Sequence, residues 1–369
     1  MKSIGLNVKK KLLIVNKMYY PDIGGVETVV KQYAEYLTHF FDVTVLVVSP
    51  KFNIKSTLEN INEVKVIRCS SFGTFLSMPV SFSFLVKLFT IKKTFDYIHF
   101  HEPFPLATLF SIFPKKNKYI VTWHSDIVRQ KFFKKVIGLF QHLLCTKADI
   151  ILTTSPNLAT NSNILSHYKD KIEILPLSID EKNYPSTSYA PGRYLLYIGR
   201  LSYYKGLLNL IDSYELSSSE YPLYIVGNGD PSIIKDIKTR LASSSKEIVF
   251  INKYVSEEEK INYLKNCRAL IFPSTHNSEA FGIIQLEAMI LGKPVINTAL
   301  PTGVPWVSIH EKTGLTIEPG NNQELAMAIN KLNSNQLVTF LGNNAQNRVR
   351  ELFSDSIILH KLLNIYKRL

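Results

Sequence analysis

Short apolar runs recur along the chain, separated by stretches in which apolar residues return every three or four positions. Residues 11–16, 43–48, 64–68, 97–101, 119–122 and 149–153 read as strands that are apolar on both faces. Helical periodicity marks 26–37, 81–90, 106–113 and 132–145 between them. Strands hydrophobic on both sides and joined by helices predict a parallel sheet with helical cover. Near 180–192 the texture turns polar and rich in Pro and Ser, which suits a linker. The strand pattern then restarts at 194–199, 224–227, 248–251, 269–272 and 294–297. Two doubly wound αβ domains in tandem are expected, with no shorter internal repeat and no low-complexity tract.

The stretch from Phe272 to Gly314 concentrates the candidate chemistry. An apolar strand ends at Phe272-Pro273, and a loop of small polar residues carries Glu279 ahead of Phe281-Gly282. A helix over 283–291 follows, with Glu287 on it, and Gly292-Lys293-Pro294 stops it before the next strand. In such a βαβ unit ligands bind at the carboxyl ends of the strands. The two glutamates lie near that edge on different elements, so they need not share a task.

Composition narrows the class. A chain of 369 residues, 46% hydrophobic and 20% charged, is ordinary for a globular protein of about two domains. Cys69, Cys145 and Cys267 are scattered and offer neither a disulfide framework nor metal spacing, which suits a reducing cytoplasm. No apolar run reaches the roughly 20 residues of a membrane helix, and the first apolar run is too short for a signal-peptide core. The net charge of +13 is carried largely by the first half. Arg129, Lys131, Lys134 and Lys135 alternate there with Phe132, Phe133, Val136, Ile137, Leu139 and Phe140. A basic helix with an aromatic face reads as an element for an anionic membrane surface, or as a core-packed helix with a solvated basic edge. No recognition helix or aromatic RNA-binding signature supports a nucleic-acid partner.

Glycines close the first strand of each domain. Gly24-Gly25 stands between strand and helix, where backbone N–H groups can approach an anion or simply turn the chain. The second domain has Gly199-Arg200 and Lys205-Gly206 at the matching place, and Gly227-Asn228-Gly229 after its next strand. Arg200 offers bidentate donors and Lys205 a point charge for phosphate oxygens. The chain has no Asp-x-Asp pair. A phosphate here is therefore expected to be met by Arg200, Lys205 and helix dipoles, with no metal and no cofactor.

Together, Gly24-Gly25, Arg200 with Lys205-Gly206, and the Glu279-to-Glu287 segment with Phe281-Gly282 and Gly292-Lys293-Pro294 resemble the retaining glycosyltransferases of family 4. The likeness runs from Tyr20 to Leu315, and the paired glutamates are its specific part. It implies an α/β GT-B fold, two Rossmann-like domains facing a cleft that holds a nucleotide-diphospho-sugar as co-substrate. Residues 1–182 would form the acceptor-side domain, 190–352 the donor domain, and a helix at about 353–369 would cross back to the first. By the same likeness Glu279 lies by the donor sugar and Glu287 holds the ribose hydroxyls. Arg200 and Lys205 stabilise the leaving diphosphate, and Phe281, Gly282 and Ile283 meet sugar and phosphate. Gly24, Gly25, Gly227 and Tyr254 complete the donor side. His124 reaches the sugar, while His101, Glu102 and Asp126 line the acceptor side. Leu177-Ser178-Ile179-Asp180 departs from the family's usual segment between the domains.

The resemblance implies same-face transfer of a hexose, with the departing diphosphate accepting the acceptor's proton. GDP-mannose is the leading donor, with UDP-hexoses as the alternative. The segment 300–308 and Thr313-Gly314-Leu315 look most like bacterial enzymes of O-antigen, lipopolysaccharide or capsule assembly. The acceptor would be an oligosaccharide or polyprenyl-linked sugar, met by a cytoplasmic protein held at the inner face of the membrane. A sugar-nucleotide epimerase or a catalytically silent subunit of the same fold are the other classes. The first usually lacks this glutamate spacing, and the second would have lost Glu279, Arg200 or Lys205.

Overall fold

The computed structural model describes residues 9–22, 24–75, 78–127, 131–185 and 191–369. Of the expected linker, 186–190 lies outside the described residues, as does Arg129 of the basic stretch. The chain divides into two compact units: Met1–Thr154 with Ala159–Leu175 and Leu359–Leu369, and Ser155–Leu158 with Pro176–Ile358.

The first unit holds β1 (Lys11–Val15), β2 (Asp42–Val48), β3 (Thr57–Ile61), β4 (Val64–Cys69), a small hairpin of β5 (Thr74–Phe75) and β6 (Met78–Pro79), then β7 (Tyr97–Glu102), β8 (Lys118–Trp123), β9 (Ile150–Thr153) and β10 (Ile172–Ile174). Its main sheet runs β10-β9-β8-β7-β1-β2-β4-β3, parallel except for the edge strand β3. Order reverses at β1, so β1 and β7 flank a topological switch point, where the crossovers leave on opposite faces and open a crevice.

The second unit holds β11 (Leu195–Ile198), β12 (Leu223–Val226), β13 (Ile248–Ile251), β14 (Ala269–Ile271), β15 (Val295–Thr298) and β16 (Gly314–Ile317). They pair in the order β13-β12-β11-β14-β15-β16, all parallel. The switch point here lies between β11 and β14. Leu195, Tyr197, Ile225, Ala269, Ile271 and Ile296 turn into a core closed by helices Leu207–Leu216 and Asn322–Lys331.

Most expected elements form, with one instructive difference. The helix expected at 106–113 is a short turn, Pro105–Thr108, tightening into a 3₁₀ turn at Leu109–Ile112. The terminal stretch forms two helices, Asn335–Leu352 and Asp355–Arg368. Its break has a cause in backbone bonding: Ile179 donates to the Phe353 carbonyl at 3.0 Å and accepts from Asp355 N at 3.1 Å. From Leu359 onward the last helix belongs to the first unit. Lys361 donates to the Ile174 carbonyl at 2.6 Å and Tyr366 is fully buried against Tyr97.

Candidate active site

At the switch point of the second unit, two loops leave neighbouring strands and are fastened to each other. The loop after β11 runs from Gly199 to Gly206, and the loop after β14 from Phe272 to Gly282. Thr275 N donates to the Tyr204 carbonyl at 2.8 Å. Gly206 has φ +68°, and a Cβ there would collide with the carbonyl oxygen of Pro273. Only glycine permits both the left-handed turn and that approach. The result puts Lys205 against Glu279: its Nζ donates to Glu279 Oε2, and both side chains are largely enclosed. Ser274 Oγ donates to the same oxygen at 3.3 Å, while Thr298 on β15 donates to the Ser274 carbonyl at 2.6 Å. The Lys205 ammonium also sits over the Phe272 ring, 5.0 Å from its centroid.

Arg200 is brought to the same edge and is exposed. Its backbone is fixed from below, because the buried Tyr197 hydroxyl donates to the Arg200 carbonyl at 2.8 Å. Burial first, and the nearby Glu279 second, hold that phenol well above its usual range, so it stays a donor. Phe281 is buried, and Gly282 takes φ +78° as the residue before helix Ile283–Ile290. A Cβ on Gly282 would lie 2.6 Å from the Phe272 ring. Helices beginning at Leu207 and Ile283 thus start beside Lys205 and Glu279, with their first N–H groups at the same strand edge.

Glu287 has a separate setting. Inside helix Ile283–Ile290, it accepts from Lys260 Nζ at 2.9 Å, with the Tyr184 hydroxyl nearby. Burial raises its carboxyl above the ordinary value, and the Lys260 charge opposes that rise. Lys260 itself is lowered by burial but raised more by Glu287 and Glu257, its net direction being up. The two glutamates therefore have different cations, Lys205 and Lys260. Gly227 packs on the Gly199 carbonyl, and Tyr254 is 80% exposed beyond β13.

The corresponding edge of the first unit is built differently. Gly24 and Gly25 precede and open helix Gly25–Leu37. His101 on β7 and His124 just after β8 meet, Nδ1 to Nε2, at 2.9 Å. Glu102 departs from its expected place. One residue beyond His101, it turns to the opposite sheet face. There it accepts from Thr108 Oγ1 at 2.7 Å, Gln141 Nε2 at 3.2 Å and Phe104 N at 3.3 Å. Burial pushes its carboxyl up to about 7 despite those donors. Asp126 accepts from Trp123 Nε1 and Ser162 Oγ, both at 2.8 Å on one oxygen, so it braces the strand end.

Lys260, Tyr184, Ser274 and Tyr197 were not singled out in the sequence. Lys260 carries one signal, since Ser256 and Glu259 form a capping box that places it in a helix. Nothing in the pattern pairs it with Glu287.

Two Rossmann-type units in one chain, the second with a lysine–glutamate pair at its switch point, define the GT-B class. The family model described as "Glycosyltransferase Family 4" matches residues 23–183, and "Glycosyl transferases group 1" matches 179–356. The O-antigen chain mannosyltransferase C of Escherichia coli is 29% identical over 97% of this chain and 98% of its own. The D-rhamnosyltransferase WbpZ of Pseudomonas aeruginosa is 32% identical over 70% of each chain. Among solved structures, a sucrose-phosphate synthase of Thermosynechococcus elongatus superposes with a TM-score of 0.81 at 19% identity, covering 98% of this chain and 99% of that one. The chain belongs to the family 4 glycosyltransferases.

Proposed function

We propose that the chain is a retaining, metal-independent hexosyltransferase of surface-polysaccharide assembly, using GDP-mannose and an oligosaccharide or polyprenyl-linked acceptor. The observation that carries this reading is the Lys205–Glu279 pair, held by Ser274 and the fastened loops at the switch point. The names of the O-antigen mannosyltransferase and the rhamnosyltransferase support a hexose donor and a polysaccharide product. In the reaction, the bond from the anomeric carbon to the diphosphate oxygen breaks as the acceptor oxygen attacks from the same face. The acceptor's proton passes to the departing diphosphate oxygen. Lys205 and Arg200 meet the charge that grows there, and fixed charges need no reorganisation at that moment. Glu279, with Lys205 beside it, supports positive charge at the anomeric carbon, and Glu287 takes the ribose hydroxyls as a pure acceptor. A melting panel of nucleotide sugars tests the donor. A ligand at 100 times its dissociation constant adds about 2.7 kcal/mol. Stabilisation by UDP-hexoses alone would exclude GDP-mannose.

The same reading places the protein peripherally on an anionic membrane surface. Among the described residues no helix is long and apolar enough to cross a membrane. Support comes from helix Phe82–Ile91, where Phe84 and Leu88 are buried while Phe82 is 70%, Val86 46% and Phe89 45% exposed. Its exposed apolar side chains flank Lys87, and it carries no acid. Leu139 and Val136 of helix Lys131–Lys147 are exposed as well.

A further inference from the structure

Three histidine rings stand together in the first unit. The centroids of His99 and His101 are 4.4 Å apart, and His101 lies edge to edge with His124, nearly coplanar at an interplanar angle of 18° with centroids 5.2 Å apart. His99 is anchored at both nitrogens, Nδ1 to the Tyr366 hydroxyl and Nε2 to Thr122 Oγ1, each at 2.7 Å. His101 and His124 hold each other through the Nδ1–Nε2 hydrogen bond. His101 Nε2 is enclosed and has no partner among the described residues. His124 is 5% exposed, and its Nδ1 makes no hydrogen bond among the described residues.

Burial keeps these rings neutral, pushing His99 and His124 down to about 3 and His101 well below its usual value. A neutral imidazole has one N–H and one lone pair, so the shared hydrogen can sit in two ways. If His124 Nε2–H donates, His101 carries its own hydrogen on Nε2, enclosed with no acceptor. If His101 Nδ1–H donates, His101 Nε2 is a bare lone pair and the hydrogen of His124 is on Nδ1. An enclosed N–H without an acceptor is the rarer defect in folded proteins, which favours the second arrangement.

We propose that His101 is a positioning residue that locks His124 in its Nδ1–H tautomer, so that His124 meets an oxygen of the bound sugar as a neutral hydrogen-bond donor. This rests on the reading of His124 as a sugar contact. A ring so placed is unsuited to take a proton, because the charge would enter a buried cluster of neighbouring imidazoles. The oxygen it meets keeps its proton and gains a donor.

Long-range ¹H–¹⁵N correlation on the unmodified, ¹⁵N-labelled protein tests the lock without any ligand. A protonated-type Nδ1 and a lone-pair-type Nε2 on His124 are expected; the reverse assignment overturns the proposal. Two variants follow with GDP-mannose turnover as the readout. His101→Phe keeps an aromatic ring beside His99 and removes the hydrogen bond, and should lower kcat at least tenfold with little change in donor KM. His101→Asn offers an amide donor near the position of Nδ1 and should restore most of that loss. Wild-type turnover in folded His101→Phe, or no recovery in folded His101→Asn, also overturns it. A fully active His124→Ala with the expected tautomer in the parent would remove the sugar contact instead. A lone-pair Nδ1 would remove only the lock and leave the glycosyl-transfer reading standing.

Discussion

At the strand edge of the second unit the chain places ion pairs, Lys205 with Glu279 and Lys260 with Glu287. At the matching edge of the first it places neutral rings, His101 and His124, and buries the carboxylate of Glu102 on the far face. The same topology thus presents charge in one unit and uncharged hydrogen-bonding groups in the other. A site facing a diphosphate needs fixed charges, since charge develops on the leaving group. A site facing hydroxyls needs donors whose protonation does not change, and burial supplies them by keeping imidazoles neutral.

The sharpest way to break this contrast is to remove charge from the second edge. Glu279→Gln should lower transfer about 10²–10³-fold, the range for a preorganised electrostatic group, with nucleotide-sugar binding little changed by calorimetry. A variant with near-normal turnover would sink the role given to Glu279. Arg200→Ala should instead weaken both binding and turnover.

Lys260→Met should leave Glu287 without its cation. Removing one partner of a buried pair destabilises by about 3–5 kcal/mol, and the lower end applies because both side chains keep some exposure. Urea unfolding measures it, and an unchanged midpoint would show the pair to be dispensable.

Acid should separate the two units. For His99 and His124 the folded value of about 3 lies below the ordinary 6.5. Between those values the unfolded chain binds more protons, so stability is full above 6.5 and declines as pH falls below it. Each ring contributes a slope of about 1.4 kcal/mol per pH unit in that window. Glu102 works in the opposite sense: raised from 4.5 to about 7, it stabilises fully below 4.5 and loses that contribution as pH rises through 7. Hydrogen exchange from pH 7 to 5 should show protection lost first in β7 and β8. Uniform loss across both sheets would contradict the contrast.

The smallest effect concerns the surface. Phe82→Asp with Phe89→Asp should abolish flotation with anionic liposomes while shifting the melting temperature little, since both side chains are substantially exposed. Flotation that persists would place any membrane contact elsewhere.

Much of this was legible in the sequence because parallel strands announce themselves as apolar runs. Those runs gave two doubly wound units, and the spacing of Glu279, Phe281-Gly282 and Glu287 located the second site. Edge strands were harder to see. β3 (Thr57–Ile61) has little burial, so no apolar run marks it. The face of Glu102 was lost for a related reason: a one-residue step along a strand reverses direction, and sequence alone does not say which face helix Lys131–Lys147 covers. Ion-pair choice was illegible too, since Lys260 reaches Glu287 only through the packing of two helices.

The burial of Tyr366 has a consequence for how the protein is made. The first unit takes the end of the chain, Leu359–Leu369, into its own body. On the ribosome, the segments of that unit made first must wait, through synthesis of the whole second unit, for their last helix to arrive. The segments of the first unit that precede the second are therefore completed only after it, and until then Tyr97 and His99 lack the cover of Tyr366.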